Sequence, residues 1–143
     1  MILVSACLLG ENCKYNGENN DDLYVKLYLQ GKEYIAYCPE IAGGLDSPRP
    51  PCEICQGRVL NTEGDDLTDE FIDGAEQALE LCNENGVDLA ILKEGSPSCG
   101  VNWIYDGSFG HVRIPGKGIT ARLLYDNGIR CLSEEDIVNG RLK

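Results

Sequence analysis

The chain has 143 residues and eight cysteines, with 24 acidic side chains against 12 basic ones and a formal net charge of -12. That length predicts one domain over 1–143, and the charge excludes the broad basic face that a nucleic-acid backbone requires. No apolar run approaches the ~18 residues of a membrane span, and Met1-Ile2-Leu3-Val4 lacks the basic flank of a signal peptide, so a cytoplasmic protein without a membrane partner is expected.

In chain order, residues 1–7 form an apolar run with no alternation, as in a central strand covered on both faces. Gly10 and Asn16-Gly17 mark turns on either side of Cys13. Leu23, Lys26, Leu27 and Gln30 fall at helical spacing between Asp21-Asp22, which suit a first turn, and Gly31, which suits an end. Tyr34-Ile35-Ala36-Tyr37-Cys38 is a second strand candidate. The stretch 43–51, rich in glycine and proline, excludes helix and central strand and reads as an ordered loop carrying Arg49, one of few cations. Cys52 and Cys55 form a CxxC pair, but a metal site needs two more spaced ligands, so packing or a solvent-edge thiol pair is the reading. Val59-Leu60-Asn61 is a minor strand.

The clearest helix starts at Thr68 as N-cap, carries Phe71, Ala75, Ala78, Leu79 and Cys82 on one apolar stripe, and closes at Asn85-Gly86. It leads tightly into a strand over 87–93, as a βαβ crossover does. Residues 101–110 carry no helical stripe. Trp103, Tyr105 and Phe109 there either wall a pocket for a flat ligand or anchor an irregular loop. A helix follows from about Gly116 to Asn127 with Ala121, Leu124 and Tyr125 inward, then a strand over 129–132 in which Cys131 packs. Ser133 caps a final helix with Glu134, Glu135 and Asp136 in its first turn. The sum is an α/β fold: a single compact domain with a mostly parallel, Rossmann-like sheet and flanking helices.

Three strand candidates deliver a thiol to the same kind of position: Cys7, Cys38, and Cys99 within Ser96-Pro97-Ser98-Cys99-Gly100. In a parallel sheet, chemistry collects beyond the C-terminal strand ends. The chain has no dinucleotide fingerprint and no Walker loop, and His111 alone cannot build a histidine-based zinc site. Cys7, Cys13, Cys38 and Cys99 lie on four separate segments. Soft thiolates select zinc, copper(I) or iron–sulfur clusters. A [4Fe-4S] cluster gathers distant thiols, and with only three bound its fourth iron is an open Lewis acid. Glu40 is then the candidate base, and Ser96 and Ser98 position substrate or water. From the residues alone, a cluster, a zinc site and thiol-only roles all stay open.

A family pattern runs through the chain in order. It includes Val4-Ser-Ala-Cys-Leu-Leu-Gly10, Cys13-Lys-Tyr-Asn-Gly17, Cys38-Pro-Glu40, Gly43-Gly-Leu45, Pro48-Arg49, Gly64-Asp-Asp-Leu-Thr68, Ile91-Leu-Lys-Glu94, Ser96-Pro-Ser-Cys-Gly100 and Ile104-Tyr-Asp-Gly107. On these motifs the sequence resembles the thiouracil desulfidases, a bacterial and archaeal family long catalogued as a domain of unknown function. Glu53 fits the family's acidic position, whereas Cys52 and Cys55 look like additions. The resemblance implies non-redox removal of sulfur from 2-thiouracil or a related thiolated pyrimidine, with uracil and hydrosulfide as products. It also implies a [4Fe-4S] cofactor held by three cysteines, with the substrate sulfur on the open iron. Cys7 and Cys99 are the first choices as ligands. Cys38 is the third, since it would bring Glu40 close to that iron, and Cys13 is its rival. Glu40 would activate water, and Ser96, in preference to Ser98, would place the ring or the proton. The partners implied are the small thiolated pyrimidine and the cluster-assembly machinery, with no large nucleic acid. An iron–sulfur electron carrier and a structural four-cysteine zinc module are the competing readings.

Overall fold

The computed structural model describes residues 1–140. The elements are β1 (Ile2–Ser5), a 3-10 turn (Ala6–Leu9), α1 (Leu23–Leu29), β2 (Tyr34–Tyr37), α2 (Pro39–Ala42), β3 (Cys52–Cys55) and β4 (Arg58–Asn61). They continue with α3 (Thr68–Asn85), β5 (Leu89–Leu92), β6 (Trp103–Tyr105), β7 (Arg113–Pro115), α4 (Ile119–Asp126), β8 (Arg130–Ser133) and α5 (Glu134–Val138).

Strands β2-β1-β5-β8 form a parallel sheet in that order, with Leu3 opposite both Ile35 and Ala90, and Ile91 opposite Leu132. The unbroken apolar runs follow from this arrangement. Leu3, Ala90 and Leu92 pack with Ala78 and Cys82 of α3 and with Ala121 and Leu124 of α4. Ile2, Val4 and Ile91, pointing the other way, pack with Val25 and Leu29 of α1 and Ile137 of α5. The inner strands are apolar on both faces because helices cover both faces. Two antiparallel hairpins, β3–β4 and β6–β7, complete the single α/β domain.

The expected architecture holds, three local readings change, and one open alternative gains support. In α1 the buried residues are Val25 and Leu29, whereas Leu23 and Leu27 are exposed. Tyr125 is also exposed, under the Lys117 ammonium at 4.6 Å. Thr68 is the first helical residue and not a cap. Its hydroxyl accepts from the Val59 N–H at 2.8 Å and donates to Asp66 at 2.6 Å, while Asp66 accepts the Thr68 N–H at 2.9 Å. The aromatic stretch is the β6–β7 hairpin, where Trp103 packs edge-on to Tyr105, Tyr105 edge-on to His111, and Arg113 lies 3.9 Å over the indole. Those contacts, with the indole N–H donating to Glu135 at 3.1 Å, favour the anchoring alternative for Trp103 and Tyr105. Ser133 caps α5 as expected, in a reciprocal capping box with Asp136.

Packing of α2 on α3 is closer than side chains allow. A Cβ on Gly74 would fall 2.8 Å from the Pro39 carbonyl carbon and nearer still to its oxygen, and one on Gly43 would meet the Glu70 carbonyl. Glycine at both positions lets the two backbones touch.

Candidate active site

The C-terminal edge of the parallel sheet brings the predicted segments together. β1 runs into the 3-10 turn holding Cys7, β2 ends at Cys38 and α2, and β5 leads through Lys93-Glu94 to Ser96 and Cys99. Cys13 arrives on the turn that follows the first of these.

The thiols interact directly. Hydrogen bonding with the Cys38 and Cys7 sulfurs pushes the Cys13 pKa well up. Cys7 is drawn down, first by that bond from Cys13, with the Asn20 amide donating at 3.4 Å and Lys93 nearby assisting against burial. Cys38 is lowered to about 7, first by the bond from Cys13, then by the Ile41 N–H and the Arg49 charge, against burial and the Glu40 charge. Cys99 is buried, and burial pushes its thiol up despite a bond with Ser5; it lies within electrostatic reach of Cys38, Glu40 and Cys7. All four are free thiols, beside Arg49 and Lys93, and in chemistry they are the soft donors that iron–sulfur clusters take. Among the described residues no group of three or more His, Cys, Asp or Glu is arranged to hold a metal ion.

Glu40, in the first turn of α2, is the acid nearest this set. Burial raises its pKa, opposed by Arg49 and then by Ser96. Its Oε1 pairs with Arg49 Nη2 at 3.2 Å, and its Oε2 accepts from the Ser96 hydroxyl at 3.5 Å. Ser96 Oγ in turn accepts the N–H groups of Ser98 at 3.1 Å and Cys99 at 3.0 Å, which turns its proton toward the carboxylate. Ser98 is fully buried, with its hydroxyl 2.8 Å from that of Thr120 at the start of α4. Cys52 is buried in the β3–β4 core, with its thiol raised to about 12 by burial and then by the Glu40 charge. Cys82 on α3 and Cys131 on β8 pack in the core shared with α4, as expected of packing thiols.

Glu94 is the residue that sequence reasoning missed. Its buried carboxylate accepts the N–H groups of Val101 at 2.7 Å, Asn102 at 2.8 Å and Trp103 at 3.2 Å, and the Asn102 amide at 2.8 Å. One side chain thereby closes the loop that presents Ser96 and Cys99. An acidic residue ending a buried strand and followed by Gly95 was the available signal, since a carboxylate there needs donors.

The 2-thiouracil desulfurase family profile matches residues 2–136. An uncharacterized protein of Bacillus subtilis (strain 168), YbbK, is 37% identical over 147 residues, covering 96% of this chain and 97% of its own. Among solved structures, a [4Fe-4S]-dependent thiouracil desulfidase, TudS, superposes with a TM-score of 0.90 at 44% identity, over 99% of this chain and 95% of that one.

Proposed function

The chain belongs to the 2-thiouracil desulfurase family, and from that premise we propose that it hydrolyses the C–S bond of 2-thiouracil or a related thiolated pyrimidine. Water supplies the oxygen of the new carbonyl and the sulfur leaves as hydrosulfide, so no external electron is consumed. When bound, a [4Fe-4S] cluster held by Cys7, Cys99 and Cys38, with Cys13 the rival third ligand, supplies a soft Lewis acid for the thiocarbonyl sulfur.

The chain's own residues do the rest. Glu40 takes the proton of the attacking water, and its partners fix where that happens. Arg49 holds one carboxylate oxygen and Ser96 the other, so the acid cannot rotate away from the thiols. Ser96 orients the carboxylate and the ring, and Ser98 secures the loop through Thr120. Partial burial keeps bulk water from competing. Among the described residues no helix is long and apolar enough to cross a membrane. We place the protein in the cytoplasm, where the thiols stay reduced and cluster-assembly machinery can load it, and the charge of -12 favours a free base over a large nucleic acid.

The observation that carries this reading is the partly buried Glu40 gripped by Arg49 and Ser96 at the thiol-lined sheet edge, a group for which an electron carrier has no use. Glu40→Gln in anaerobically purified protein tests it. Iron and sulfide content should be retained while turnover falls ~10²-fold or more. Full activity in the loaded variant refutes Glu40 as the base.

A further inference from the structure

One nitrogen of the Arg49 guanidinium, Nε, has no partner among the described residues. Its Nη1 donates to the Asp46 carbonyl at 2.8 Å, and its Nη2 to the Cys13 carbonyl at 3.1 Å and to Glu40 at 3.2 Å. The side chain is only 7% exposed, yet its Nε–H has no hydrogen-bond partner among the described residues. A buried N–H of a charged group is seldom left unpaired without a reason. In a guanidinium, Nε–H shares one edge with a hydrogen of Nη2, so the open donor lies beside the groups that Nη2 holds, the Glu40 carboxylate and the Cys13 carbonyl. The loop holding it is fixed in place, since the Arg49 N–H donates to the Tyr15 carbonyl at 2.6 Å and Ser47 Oγ to the Lys14 carbonyl at 2.7 Å.

The chemistry of what would fill this position is narrow. A phosphate or carboxylate favours two parallel N–H groups on one edge, and here Nη2 is already committed. An anion would also meet Glu40, which offsets the charge of Arg49. A neutral oxygen acceptor meets neither obstacle. Resting on the desulfidase reading above, we propose that Arg49 is the specificity contact for substrate, its Nε–H donating to the exocyclic oxo group that a thiolated pyrimidine keeps beside its thiocarbonyl. A site built to hydrogen-bond one substrate group discriminates strongly against analogues lacking it, because its own donor is then left buried and unpaired.

The test is anaerobic isothermal titration of the cluster-loaded protein with three probes: uracil, pyrimidin-2-one, which lacks the second oxo group, and uridine monophosphate. Wild type should bind uracil at least about tenfold more tightly than pyrimidin-2-one, the range for a hydrogen bond to a charged donor. Arg49→Lys keeps a cation beside Glu40 and loses the Nε–H edge, so the ratio should fall toward one. A purely structural Arg49 would weaken both ligands equally and leave the ratio intact, which overturns the proposal. Equal binding of uracil and pyrimidin-2-one by wild type overturns it whether or not the variant folds. Tighter binding of the monophosphate, lost in Arg49→Lys, overturns it in favour of a phosphate. An Arg49-dependent preference for uracil without hydrosulfide release from 2-thiouracil supports the contact and refutes the desulfidase reading instead.

Discussion

Gly74→Ala adds one methyl group to α3 at the point where α2 rests on it. The new Cβ would lie 2.8 Å from the Pro39 carbonyl carbon, against the 3.4 Å at which ordinary contact begins, and its approach to the oxygen is closer. α3 runs for 18 residues and α2 for four, so α2 is the element that yields. Clearing the oxygen as well moves it by roughly 1–1.5 Å, and Cys38 and Glu40 travel with it; misplacement on that scale can cost about 10²-fold in rate. Stability should respond far less. Alanine gains about 1 kcal/mol over glycine in a helix interior, which offsets part of an overpacking cost of about 1–3 kcal/mol and leaves about 0–2 kcal/mol. Hydrosulfide release from 2-thiouracil should therefore drop about 10²-fold while the melting temperature moves by only a few degrees. Glu76→Ala, at an exposed position on the same helix, is the control. Wild-type turnover in folded, loaded Gly74→Ala would refute the claim that backbone contact with α3 positions Glu40.

Glu94→Gln should cost about 3 kcal/mol in urea denaturation, because an amide cannot serve all the donors gathered on that carboxylate; an unchanged midpoint would contradict its role as the loop anchor. Ser98→Ala should lose about 1 kcal/mol of stability with the Thr120 bond, whereas Ser96→Ala should lose turnover, and the reverse pattern would assign the chemistry to Ser98. Asp66 is held down to about 2 from an ordinary 3.8, first by the Thr68 hydroxyl, then by the Thr68 N–H and Arg58. Its carboxylate thus stabilises the fold above about pH 4, and that contribution is lost as the pH falls through about 2. The gap in melting temperature between wild type and Asp66→Asn should close over that window, and a gap independent of pH would contradict the assignment.

The parallel sheet was legible because residues covered on both faces need no alternation, and Ile2–Ser5 and Leu89–Leu92 carry that pattern openly. The strand ends likewise indicated that Cys7, Cys38 and Cys99 would lie beyond the C-terminal edge of the sheet. What stayed hidden was decided by partners distant in sequence. In a seven-residue α1, the pairs Leu23/Leu27 and Val25/Leu29 have the same spacing, and only contact with Val4 and Leu8 selects the second. The β6–β7 hairpin has no simple turn signature, since Phe109 and His111 both take positive φ near 59°. Its loop is pinned by the Glu53 carboxylate on β3, which accepts the N–H groups of Gly107 at 3.0 Å and Phe109 at 3.2 Å. Glu94 and the spare Arg49 donor are likewise invisible to periodicity, because each is defined by the groups that do or do not reach it.

Hydrolytic desulfuration is tested most directly by incubating anaerobically loaded protein with 2-thiouracil in ¹⁸O-water without reductant. The account predicts uracil carrying a single ¹⁸O at the former thiocarbonyl carbon, with one hydrosulfide released per uracil. Uracil formed only when reductant is added, or uracil without solvent oxygen, would contradict it.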